Sequence, residues 1–243
     1  MDRDTSFLKK SLIAHRGLFN NKDVPENTIK AFQKAVKKNY LIELDVHLLK
    51  DNNVVVFHDN NLLRMTGVNK PIKDYTYQEI KKIKLLDTNE HIPLLKDALN
   101  LIDGKVPVII ELKSDNKVGL LEEELVKLLN KYRGIYAIKS FNPKTVYYFK
   151  RKYPNIIRGL LVDNFKKNKY KHFALRTIFL TKPDFISCSI NNLPSKKIKK
   201  LRNKKLILGW TVKSNEDLDR IRDCCDNYIC ENINELKNID KKH

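Results

Sequence analysis

The chain has 243 residues, 42% of them hydrophobic, enough for one sizeable core, and no run approaches the ~18 consecutive apolar residues of a membrane-spanning helix. Lys and Arg number 48 against 29 Asp and Glu, a net charge of +19 that suits an anionic partner, yet the bias is spread over every helix and reads mainly as solvated surface. The opening Met1-Asp2-Arg3-Asp4 is too acidic for a signal peptide, and Cys188, Cys224, Cys225 and Cys230 show neither metal spacing nor a disulfide framework, so a cytoplasmic protein with reduced, partly buried thiols is expected.

In chain order, the apolar runs that read as strands are Ser11–Ala14, Leu41–Val46, Val106–Leu112, Ile135–Lys139, Ile157–Val162, Asp184–Cys188, Leu206–Trp210 and Asn227–Cys230. Amphipathic stretches lie between them. Ile29, Phe32 and Val36 form one stripe at helical spacing, and Val118, Leu121, Leu125, Leu128 and Tyr132 form another. Thr76 with Glu79 and Ser214 with Asp217 predict capping boxes, and Pro143 and Pro183 predict element starts. Residues 54–95 are irregular and predict an extra strand, Val54–Phe57, and one short helix. Strands buried on both faces and joined by helices predict an α/β fold. Eight of them in a chain of this length, about 250 residues being typical, predict a (β/α)8 TIM barrel with a small insertion after the second strand. A single domain over 1–243 is expected, without repeats or low-complexity linkers.

The chemistry concentrates in a few positions. Alternation in Leu41-Ile42-Glu43-Leu44-Asp45-Val46 puts Glu43 and Asp45 on one strand face, roughly 7 Å apart. Glu111 and Lys113 share a face in the same way. Three carboxylates without a thiolate favour Mg²⁺ or Ca²⁺, with Mn²⁺ also fitting, over zinc. Arg16 and Lys113 suit phosphate oxygens, one as a planar fork and the other as a point charge. Imidazole is the side-chain group suited to general acid–base chemistry near neutral pH, so with His15 and His58 as candidates this set is equipped to cut a phosphodiester. His15, Glu43, Asp45, Glu111, Lys113 and Trp210 all fall at or just beyond the carboxyl ends of predicted strands, where barrel enzymes build their sites.

With these residues the chain resembles the glycerophosphodiester phosphodiesterase family. The match runs through His15-Arg16-Gly17, Pro25-Glu26-Asn27-Thr28, Glu43-Leu44-Asp45-Val46, Val56-Phe57-His58-Asp59, Ile92-Pro93-Leu94, Glu111-Leu112-Lys113, Ser140-Phe141-Asn142 and Gly209-Trp210-Thr211-Val212. The resemblance implies a barrel that hydrolyses glycerophosphodiesters to glycerol 3-phosphate and an alcohol. It implies His15 and His58 as acid and base, Glu43, Asp45 and Glu111 as metal ligands, and Arg16, Lys113 and Trp210 as substrate contacts. Two segments depart from the family: the loop Leu18–Val24 is longer than in many members, and the last strand ends in Cys230-Glu231-Asn232 where Thr, then Asp or Asn, then Pro is expected.

Several residues carry a plainer reading beside the functional one. His47 shares the parity of Glu43 and Asp45, as an alternative ligand to Glu111 or as a rim residue; Asp59 orients His58 or caps a turn; Asp51 reads as a turn residue. His91 and His172 read as structural, and His243 as part of a frayed terminus. Lys166–Lys171 and Lys196–Lys205 exceed the basic background. They leave open a peripheral contact with an anionic membrane, and with it a lysophospholipase D or phospholipase C type of reaction; no nucleic-acid partner is expected. A non-catalytic barrel that binds anions is the remaining alternative. The head-group alcohol and the oligomeric state are not legible.

Overall fold

The computed structural model describes residues 3–114, 117–163 and 176–236. The basic run 166–171, His172 and His243 lie outside the described residues. The strands are β1 Ile13–His15, β2 Leu41–Leu48, β3 Val54–Val56, β4 Val108–Leu112, β5 Tyr136–Ser140, β6 Arg158–Val162, β7 Phe185–Ser189, β8 Leu206–Val212 and β9 Asn227–Cys230. All eight predicted barrel strands are present, with β3 as an added antiparallel strand, and their order is that of a (β/α)8 barrel. Most begin one or two residues later than the apolar runs suggest, because ladder bonding starts inside the run. By contacts the chain separates into two compact units, residues 16–136 and residues 1–15 with 137–243.

In residues 16–136, β2 pairs in parallel with β4, and Asp45 stands opposite Glu111 in the register. Helix α1 (Ile29–Lys37) opens on Thr28, whose hydroxyl accepts the Ala31 N–H, and carries Lys34 and Lys37 in its last turn, where the helix dipole favours cations. Its buried face is Ala31, Phe32 and Ala35; Ile29 and Val36 of the predicted stripe sit at the flanks, half-buried. The insertion holds more helix than expected. Two single-turn helices, α2 (Leu63–Thr66) and α3 (Tyr77–Ile80), and a 3-10 turn at Ile72–Asp74 surround a small core that includes Val55, Phe57, Leu62, Met65 and Leu94. Elements of three or four residues are too short for a periodic signal. The Thr76–Glu79 capping box on α3 is present as predicted. Helix α4 (Leu95–Ile102) packs beside α1. In α5 (Leu120–Leu129), Leu121 and Leu125 of the predicted stripe are buried together with Val126 and Leu129, while Val118 and Tyr132 fall outside the helix.

Gly17 closes the turn after β1 at φ +81°, and a Cβ there would lie 2.9 Å from the Ala31 backbone and side chain. Gly17→Ala is expected to cost about 2–4 kcal/mol in chemical denaturation, the sum of left-handed strain and overpacking.

In residues 1–15 with 137–243, the parallel order is β1-β9-β8-β7-β6-β5. Helix α6 (Pro143–Lys152) starts with Pro143 in its first turn, as predicted, capped by Asn142. Helix α7 (Lys196–Arg202) carries most of the second basic run and buries Ile198. On α8 (Asn215–Ile221) the Ser214 hydroxyl accepts the Asp217 N–H, but Asp217 reaches back to the Lys213 N–H, one residue earlier than a capping box. All four cysteines are free and buried.

Candidate active site

The register of β2 and β4 brings Glu43, Asp45 and Glu111 together, with one carboxylate oxygen from each lying within 4.8 Å of the others. They are 0, 1 and 4% exposed. Burying three like charges is costly unless cations share the space. Two protein cations do so. The Lys113 ammonium stands 2.9 Å from Asp45 Oδ1 and also donates to Glu111. Arg16 donates its backbone N–H to Glu43 Oε2 at 3.2 Å, and its Nε lies 3.3 Å from Asp45 Oδ2. Burial works against the Lys113 charge, but Asp45 and Glu111 outweigh it and raise the pKa, so the side chain stays protonated. The same balance holds for Arg16, against Asp45, Glu26 and Glu43. Three carboxylates against two cations leave a negative balance, and the oxygen-only donor set fits one hard divalent ion. His47 is not in the cluster.

Around this centre runs a chain of charge-assisted contacts. Glu26 accepts from Arg16 at 2.7 Å and from Arg64 at 2.6 Å. Arg64 Nε donates to Asp59 at 2.6 Å, and Asp59 in turn accepts the His58 Nδ1–H at 2.6 Å. Burial alone would raise the Glu26 pKa, but Arg64 and Arg16 lower it; His58 and Arg64 do the same for Asp59. Asp59 is thus the orienting partner of His58, the first of its two sequence readings. Asn27 donates to Asp45 at 2.9 Å. His47 Nε2 donates to the His58 carbonyl, and burial pulls its pKa down to about 4, so near neutral pH it is an uncharged positioning group. Asp51 accepts the N–H groups of Asn53 and Tyr77, as a turn residue does. His91 Nδ1 donates to the Ile83 carbonyl.

His15 ends β1 in the other unit. Its Nδ1 donates at 2.8 Å to Glu231, the residue just after β9, and Glu231 accepts from Lys213 at 2.9 Å. A carboxylate can only accept, so in both His15 and His58 the proton in these bonds sits on Nδ1. Burial would raise the Glu231 pKa, but its bonds from His15 and Lys213 bring it down to about 2. Its stabilising contribution is fully present above the ordinary value of 4.5 and is lost as pH falls through about 2. Glu231→Gln is expected to lower stability by about 1–2 kcal/mol at neutral pH. In denaturation series, that gap closes as pH drops from 4.5 toward 2. Trp210, on β8, is half-buried and meets Phe141 edge-on, with ring centroids 5.5 Å apart.

Residues 15–227 match the glycerophosphoryl diester phosphodiesterase family model. A glycerophosphodiester phosphodiesterase of Caldanaerobacter subterraneus is 34% identical over 247 residues, covering 97% of this chain and 99% of that protein. A human lysophospholipase D is 40% identical over 139 residues, covering 51% of this chain and 43% of that protein. An Oleispira antarctica phosphodiesterase, solved in complex with its product sn-glycerol-3-phosphate, superimposes with a TM-score of 0.79 at 22% identity, covering 92% of this chain and 93% of that one. The family match over most of the chain and the near full-length relative agree with the (β/α)8 fold and the carboxylate cluster: the chain belongs to the glycerophosphoryl diester phosphodiesterase family and is an enzyme of glycerophosphodiester hydrolysis.

Proposed function

We propose that the protein releases glycerol 3-phosphate from glycerophosphodiesters with a divalent cation, Mg²⁺, Ca²⁺ or Mn²⁺, held by Glu43, Asp45 and Glu111, and with His15 and His58 as acid and base. The observation that carries this reading is the buried three-carboxylate cluster braced by Arg16 and Lys113. When bound, such a cation supplies positive charge to the phosphate and orients it. Lys113 and the remaining N–H groups of Arg16 stabilise the charge that develops on the non-bridging oxygens. One histidine takes the proton of the attacking oxygen through Nε2; that oxygen belongs to water or to the substrate's own glycerol hydroxyl, and in the second case water then opens the cyclic phosphodiester to give glycerol 3-phosphate. The other gives a proton to the departing alcohol oxygen. The carboxylate behind each Nδ1 fixes the tautomer and the orientation of the ring. Trp210, braced by Phe141, offers an aromatic wall for the carbon side of the substrate.

Purified protein incubated with glycerophosphodiesters is expected to release glycerol 3-phosphate in the presence of a divalent cation and to stop on addition of chelator. Undiminished turnover in chelator excludes the cation-dependent mechanism. Resemblance to the human lysophospholipase D motivates a second arm with lysophosphatidylcholine, where choline release would mark cleavage of the same head-group ester in a substrate that carries an acyl chain.

A further inference from the structure

Within residues 16–136 a cavity of about 590 Å³ is linked to the carboxylate cluster through Lys113. Lys113, paired with Asp45 and Glu111, lines it, and so does His47, which holds the His58 carbonyl. A substituent leaving a phosphate held by Lys113 therefore has this space next to it. The remaining wall comes from the end of β2, the insertion and the start of α5. It includes the exposed cations Lys50, Lys73 and Lys117, the amides of Asn52 and Asn60, and an apolar patch at Ile72 and Leu121. Among the described residues no carboxylate lines it.

Resting on the hydrolase reading above, we propose that this cavity is the subsite for the leaving alcohol and that it selects a polyol bearing its own anionic group. Two features carry this. The volume lies in the range of about 300–1,000 Å³ that accommodates ligands much larger than choline or ethanolamine. The charge of the described lining side chains is of one sign: a cationic head group meets ammonium groups, whereas a phosphorylated polyol meets ammonium groups for its phosphate and amides for its hydroxyls.

The test compares kcat/KM of the full chain for glycerophosphocholine and for glycerophosphoinositol 4-phosphate. The wild type is expected to favour the anionic diester by about tenfold or more at low ionic strength, an advantage that shrinks as salt rises. In K50E/K73E the preference is expected to collapse or reverse, chiefly through loss of kcat/KM on the anionic diester, while the thermal midpoint holds. K50Q/K73Q, with both charges removed and none reversed, is expected to fall between. Equal efficiency on both diesters, or a preference for glycerophosphocholine, overturns the subsite and leaves the hydrolase reading intact. Faster cleavage of lysophosphatidylcholine than of either also overturns it, by assigning the cavity to an acyl chain. Cleavage of no diester under any cation overturns the hydrolase reading and the subsite with it.

Discussion

Glu43→Gln is expected to reduce glycerol 3-phosphate release roughly a thousandfold or more, because a metal supplies several kcal/mol of transition-state stabilisation and each 1.36 kcal/mol is tenfold. Glu43 is fully buried, and its Oε2 holds the Arg16 backbone in its left-handed turn. Substituting the amide preserves the shape and removes one of three negative charges, which separates loss of cation binding from loss of packing. The readout besides activity is thermal stability. Wild-type protein gains by RT ln(1 + [L]/Kd) when a cation binds the native state alone, so its unfolding temperature should rise as cation is added. In Glu43→Gln that rise should largely vanish, while the midpoint in chelator should move little or increase, since a buried like-charge cluster has been relieved. A variant with wild-type turnover and an unchanged cation-dependent midpoint would sink the ligand assignment.

The carboxylate cluster was legible because β2 alternates polar with apolar residues, β4 is an apolar run in which one charged residue stands out, and strand parity fixes the face of each. The strand set was legible for the same reason. What could not be read was pairing at long range. Glu231 registers in the sequence only as a departure from the family's last strand, yet it is the carboxylate behind His15, 216 residues away. Arg64 lies on a single-turn helix with no periodic signal, and its bidentate contact with Glu26 spans 38 residues. Glu26 and Asn27 were quoted within a motif but given no role, since nothing local says that one binds Arg16 and the other Asp45. On α1, apolar periodicity located the helix but misplaced its face, because two alanines are small enough to pack where larger side chains set the apparent stripe.

His58→Ala is expected to lower kcat by about 10²–10⁴, the contribution of one acid or base, with little effect on cation-dependent stability. The side chain is about one-third exposed and contributes little packing, so a fall in turnover without a fall in unfolding temperature points to chemistry. Asp59→Asn sharpens the assignment. An amide can present either its oxygen or its NH₂ to Nδ1, so the ring loses the partner that fixes its tautomer. It also loses part of the Arg64 anchor. If His58 works through Nε2, Asp59→Asn should cost less kcat than His58→Ala while leaving KM and the cation-dependent midpoint little changed. Glu231→Gln, behind His15, is expected to lower kcat by a similar part of the His15→Ala loss. A His58→Ala enzyme with undiminished turnover would remove it from the chemistry and leave it a structural partner of Asp59.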